Sequence, residues 1–290
     1  MRIDRPAVTV LVLAGLTAGA GPLRAQSVTD DGWSTSRWMG DAALLSINAL
    51  ASGVTAGALQ HFRGESFADG FVRGALGGSV HYAGLRVGTQ RFDGAGLLGR
   101  QVSAAGISMV RNASDGRPLL ERMFVPLGPL HLYVDLTDGI AVQPKVNVSA
   151  LTVLLSALAE PALDWDAGAT LSAGAPVFQA RGRRLISDDR AWGGYVAFGL
   201  IFLSDMPASQ LAGTLAHERA HVLQGDWRFL AWSDPMESWI LERVPLGSTL
   251  YKYADFNVVA GGLHHAVYAL FDVEHGDRLH EIEANFLAGR

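Results

Sequence analysis

Residues 211–227 read LAGTLAHERAHVLQGDW, and within them His217-Glu218-Arg219-Ala220-His221 forms an H-E-x-x-H pattern. On a helix the two histidines, at i and i+4, lie one turn apart on one face, where two imidazole nitrogens can converge on one zinc ion. Glu218 then flanks the metal, placed to take a proton from a zinc-bound water rather than to fill a coordination position. Chance supplies the pattern in about one such sequence in a hundred. The chain has no cysteine, so disulfides, thiolate ligands and a cysteine nucleophile are excluded. Any metal site must be built from His, Asp and Glu.

Upstream, Tyr195 to Leu203 reads as a strand, and Ser204-Asp205-Met206-Pro207 supplies a helix start. In the zincin architecture the strand beside the active helix can take an extended peptide by backbone pairing, and 195–203 is the candidate for that role. Downstream, Gly225 is a plausible C-cap. Pro235 to Arg243 and Ala254 to Leu270 read as helices joined by a turn at Pro245 to Ser248, and a last helix starts at Asp277. A catalytic zinc needs a third protein ligand and one open position. On the last helix Glu281 and Asn285 share a face, while Glu283 points roughly 160° away. Asp226 and Glu237 are nearer competitors for the metal. His264, His265, His275, His280, Tyr251, Tyr253 and Tyr268 could each donate to a transition state, and spacing does not choose among them.

Glu281-Ile282-Glu283-Ala284-Asn285, with the upstream H-E-x-x-H, resembles the gluzincin metallopeptidases, especially their HtpX-like and CAAX-prenyl-protease-like branch. There H-E-x-x-H is followed one or two helices later by E-x-E-A-D. The resemblance covers about residues 195–290. It implies Glu281 as third zinc ligand and Asn285 as hydrogen-bond partner of His217. It also implies an α+β fold with a zincin-like core: a small sheet, the active-site helix and a C-terminal glutamate helix. The departure is chemical, because Asn285 stands where relatives carry an acid. An amide carbonyl can orient His217 but brings no negative charge to raise its basicity.

The remaining sequence sets the context. At 290 residues and 49% hydrophobic the chain can bury a full core. A net charge of −5 with scattered Lys and Arg leaves no footprint for nucleic acid. Residues 1–25, with Arg2 and Arg5 before an apolar run from Ala7 to Ala20, read as a signal peptide, hence an exported, periplasmic, secreted or envelope-associated protein. Residues 26–120 read as a Gly-rich helical region. Within it Asp41 to Gln60 is apolar, Gly70, Gly74 and Gly78 recur every four residues, and 41–88 is expected to form a helical hairpin. That region leaves a membrane-surface association open.

Gly94-Ala95-Gly96-Leu97-Leu98-Gly99 matches the dinucleotide fingerprint, but no βαβ series surrounds it, so a nucleotide site is not expected. From residue 121 a β-meander is expected before the zincin-like domain. Leu130, Leu132, Val134 and Leu136 alternate with polar residues, Asp138-Gly139 reads as a tight turn, and Ile140 to Val148 returns. Ser149 to Leu158 fits either strand or helix, and Leu163 to Leu171 and Pro176 to Ala180 read as strands. The expected function is an exported zinc metallopeptidase acting on polypeptides. The rival is a cell-envelope binding or structural protein with a vestigial or structural zinc site.

Overall fold

The computed structural model describes residues 35–182, 185–187, 190–241, 243–257 and 278–289. The expected signal peptide and His264, His265, Tyr268, His275 and Asp277 lie outside them. The architecture is mixed α and β, with a helical layer and small sheets.

Helices α1 (Thr35–Phe62), α2 (Phe67–Gly88) and α3 (Ala95–Ser114) form the layer. Ser66 caps α2 by accepting from the Asp69 amide at 3.3 Å, and Asp69 adds negative charge to the first turn. The glycine interval then sets how closely the helices approach. A Cβ at Gly74 would lie 2.6 Å from the Ala56 Cβ and the Ser52 carbonyl oxygen of α1, and one at Gly70 would lie 2.9 Å from the Gly57 Cα. The expected helical hairpin is present on these contacts. Gly77 and Gly84 face the other way, toward the Gly106 and Gly99 carbonyls of α3. Gly99 therefore belongs to this seam. Gly96 packs on the Ala173 backbone, and Gly94 takes φ +79° at the helix start. Helix packing, with no leading strand, accounts for the fingerprint.

Strands β1 (Arg122–Leu127), β2 (Leu130–Asp135) and β3 (Ala141–Asn147) form the expected meander, with Leu130 opposite Val146 and Asp135 opposite Ala141. The connection spans residues 136–140 and only Gly139 turns to positive φ, so it is a five-residue loop rather than a two-residue turn. The packed face is the polar set of the alternation. His131 is buried against Phe124 and Phe229, and its Nδ1 lies 2.8 Å from Asp255, while Leu130 is exposed.

Residues 148–159 form helix α4, capped by the Asn147 side chain. Of the expected strand 163–171 only β4 (Leu163–Trp165) is extended. Asp166 accepts from the Ala169 amide at 2.8 Å and starts α5 (Ala167–Ala173). After β5 (Val177–Ala180), the short hairpin β6 (Leu185–Ser187) and β7 (Arg190–Trp192) leads to β8 (Gly194–Ala197) and β9 (Leu200–Leu203). The single strand expected over 195–203 is thus a hairpin. Phe198 and Gly199, at φ +49° and +82°, reverse it within a hydrophobic run. The sheet order is β4-β5-β9-β8, which places β9 inside and β8 at the edge.

Helix α6 (Ala208–Arg228) carries the H-E-x-x-H residues. It runs through Gly225, continues as a π-helical turn over Phe229–Ser233, and passes into α7 (Asp234–Leu241). The expected C-cap is absent because buried Leu223, Asp226, Phe229 and Leu230 hold this segment to its neighbours. That burial outweighs the roughly 1 kcal/mol penalty of a helical glycine. Then come α8 (Gly247–Tyr253), the strand β10 (Ala254–Asp255) pairing in parallel with β3, and α9 (Leu279–Ala288). Ala254 and Asp255 are therefore strand rather than the start of a helix. One core cluster joins Leu44, Tyr82 and Leu85 of the layer to Ile201 and Leu203, to Ala220 and Leu223 of α6, and to Leu287 of α9. Residues on both sides of position 120 share it.

Candidate metal centre

Helix α6 turns His217 and His221 to one side, and α9 packs across them with Glu281 pointing in. The His217 and His221 Nε2 atoms are 3.0 Å apart, and Glu281 Oε2 lies 3.3 Å from each. Among the described residues these three form the group able to hold a metal ion. A tetrahedral centre with bonds of about 2.0–2.1 Å requires neighbouring ligand atoms about 3.3–3.4 Å apart. The triangle fits that requirement, and its nitrogen and oxygen donors suit zinc.

The competitors are engaged elsewhere. Asp226 receives two hydrogen bonds from Arg100, at 2.7 and 3.0 Å, and Glu237 accepts from the Phe256 amide at 3.1 Å. Glu218 is buried beside the edge strand. A Cβ at Gly194 would lie 3.0 Å from Glu218 Cγ and Oε1, so the glycine on β8 lets this carboxylate sit close against the strand. The other central residue, Arg219, points away, donating to Ser172 Oγ at 2.9 Å.

A further chain of side chains supports the ligands. The Gln224 amide nitrogen donates to Glu283 Oε2 at 2.8 Å and to the His280 carbonyl at 3.1 Å. Its oxygen is therefore the acceptor facing His221 Nδ1 at 2.9 Å. In the neutral imidazole this contact holds the proton on Nδ1 and leaves the Nε2 lone pair for a metal. Glu283 also accepts from Asn48 Nδ2 of α1 at 2.7 Å. Asn285, half-buried on α9, forms no hydrogen bond with His217. The supporting bond found is thus on the other histidine, made by Gln224. Gln224, three residues past His221, shares its side of the helix, which is the signal the sequence offered; Glu283 and Asn48 left none.

The electrostatics follow the contacts. Burial works to raise the Glu281 carboxyl, but hydrogen bonds from His217, His221 and His280 hold it well below the usual carboxylate range. Burial works to lower His221, and Glu281 and Glu218 outweigh it, raising the imidazole. His280, with Nε2 3.4 Å from the second Glu281 oxygen, is pulled down to about 4, mainly by burial. It is neutral near pH 7 and can donate to that oxygen. Burial raises Glu283, against the opposing bonds from Gln224 and Asn48. The chain shows no match to a family model, to a curated protein or to a solved structure.

Proposed function

We propose that the chain is a zinc-dependent metallopeptidase of gluzincin type with a zincin-like core, exported from the cytoplasm. The observation that carries this reading is the 3.0–3.3 Å triangle of His217, His221 and Glu281 with Glu218 on the same helix. In it His217, His221 and Glu281 would hold Zn2+. When bound, zinc supplies Lewis acidity that polarises a carbonyl and eases deprotonation of water. Glu218 takes the water proton and returns it to the leaving amine. Gln224 keeps His221 in the ligating tautomer, and His280 orients Glu281. An extended polypeptide pairs along β8, the terminal strand of its sheet among the described residues, where Gly194 brings the backbone next to Glu218.

Glu218→Gln tests the assignment. The variant should keep stoichiometric zinc and lose at least about a hundredfold of peptide turnover, the scale of one general base. Full activity with zinc bound refutes Glu218 as the base. The second reading, a cell-envelope binding or structural protein with a vestigial zinc clip, is favoured by the uncharged Asn285, which brings no acid to the site. Stoichiometric zinc without turnover of any peptide in a mixed library would select it.

A further inference from the structure

The layer formed by α1 and α2 has the polarity of a lipid-facing element. Its inward positions combine apolar Leu44, Tyr82 and Leu85 with polar groups that are bonded: Gln60 donates to the Ala113 carbonyl, His81 Nδ1 lies 2.7 Å from Ser103 Oγ, and Asn48 reaches Glu283. Its outward positions are mostly apolar, with Ser46 and the Asp69–Arg73 pair as polar exceptions. Met39 and Leu50 on α1 are 66% and 53% exposed, and Val72 and Leu76 on α2 are 66% and 50% exposed. A helix facing water carries polar side chains on its outward face.

Two further observations favour lipid as the cover of this face. Residues 38–62 form a helix long and apolar enough to cross a membrane, with mean hydropathy 1.6, and no charged side chain lies between Asp41 and His61. On α2 no charged side chain lies between Arg73 and Arg86, and His81 in that stretch is buried. At their centre the stripes are aliphatic, with Leu50, Val72 and Leu76, while the aromatic Trp38 and Phe67 are exposed at the starts of the two helices. Close α1–α2 approach through Gly70 and Gly74 is the packing that helices adopt where water does not drive their association.

The other side of α1 is engaged. Leu44 enters the core, Asp41 pairs with Arg86 at 3.1 Å, and Asn48 is bonded. The helix therefore has one face for protein and one for lipid, the arrangement of an element lying in the membrane interface rather than crossing it. We propose that the outward stripes of α1 and α2 dock on a lipid bilayer, with Leu50 and Leu76 in the acyl region. Because the charges beside the stripes, Asp69 and Arg73, form an ion pair of no net charge, binding should not require anionic lipid and should resist salt. The proposal is independent of the hydrolytic reading.

The absence of cysteine lets one spin label be placed at a time in the full chain. Leu50→Cys and Leu76→Cys report the stripes, and Ile140→Cys, 81% exposed in the β2–β3 loop, is the control. Circular dichroism matching the parent establishes the fold of each labelled protein. With phosphatidylcholine vesicles, labels at 50 and 76 should gain oxygen collisions and lose collisions with a water-soluble nickel chelate several-fold, while 140 does not change. Adding phosphatidylglycerol should leave the result unaltered. Labels at 50 and 76 that stay as nickel-accessible as 140 overturn the proposal. So do labels shielded from both reagents in lipid-free buffer with a dimeric mass, which would assign the face to a second copy.

Discussion

Gln224 decides which nitrogen of His221 is free, because its amide nitrogen is committed to Glu283 and to the His280 carbonyl and only its oxygen remains to accept. Gln224→Ala should weaken zinc binding by about 10- to 100-fold, the usual effect of losing a bond behind a metal histidine. Competition with a chromophoric chelator measures it, and unchanged affinity would remove Gln224 from the site. His81 offers a separate test at the same scale. It is fully buried, and burial pulls its pKa from 6.5 to about 3. Between those values the unfolded imidazole binds a proton that the folded one refuses, so folding stability falls as pH drops through the window. From pH 6.5 to pH 4 this contribution is on the order of 3 kcal/mol. Denaturant titrations of His81→Asn should show a correspondingly flatter acid limb than the parent; equal slopes would mean that His81 does not resist protonation.

Among the elements, glycine has opposite meanings in two helices. At Gly99 a Cβ would press 2.6 Å from the Gly84 carbonyl, whereas at Gly225 nothing lies within 4 Å. Gly99→Ala should destabilise by about 1–3 kcal/mol through overpacking of the α2–α3 seam. Gly225→Ala should stabilise by about 0.5–1 kcal/mol by restricting the unfolded chain. Urea midpoints moving in the same direction for both would refute this division. The same contrast shows what the chain reveals locally. His217, Glu218 and His221 were legible because ligand spacing on a helix is itself local, and the interval of Gly70, Gly74 and Gly78 was legible for the same reason. Glu281 came from a resemblance rather than from spacing. The turn at Phe198-Gly199 was hidden because Phe198 continues a hydrophobic run although its backbone reverses. The inward face of β2 was hidden because His131 is buried through a partner, Asp255, 124 positions away.

At the scale of the whole molecule, the helical layer is fastened to the helix of His217 and His221 by a buried ion pair as well as by the common core. Arg100 of α3, 1% exposed, gives two hydrogen bonds to Asp226 of α6 and a third to the Gly174 carbonyl at 2.7 Å. Asp226→Asn strands a buried guanidinium and should cost about 3–5 kcal/mol, while Arg100→Met with Asp226→Leu should recover much of it. Equilibrium unfolding checks both, and a loss below about 1 kcal/mol for Asp226→Asn would show that the charge pair is not the fastening. The Asn48–Glu283 hydrogen bond joins the layer to α9 across 235 positions, two residues from Glu281 along that helix. Contacts of such separation close late in folding, after hairpins and single helices have formed, because the entropy of a long loop must be overcome first. A chain in which that closure has not occurred would hold His217 and His221 on one helix turn without Glu281. On the proposed reading, topology would withhold the complete metal set until the fold has closed.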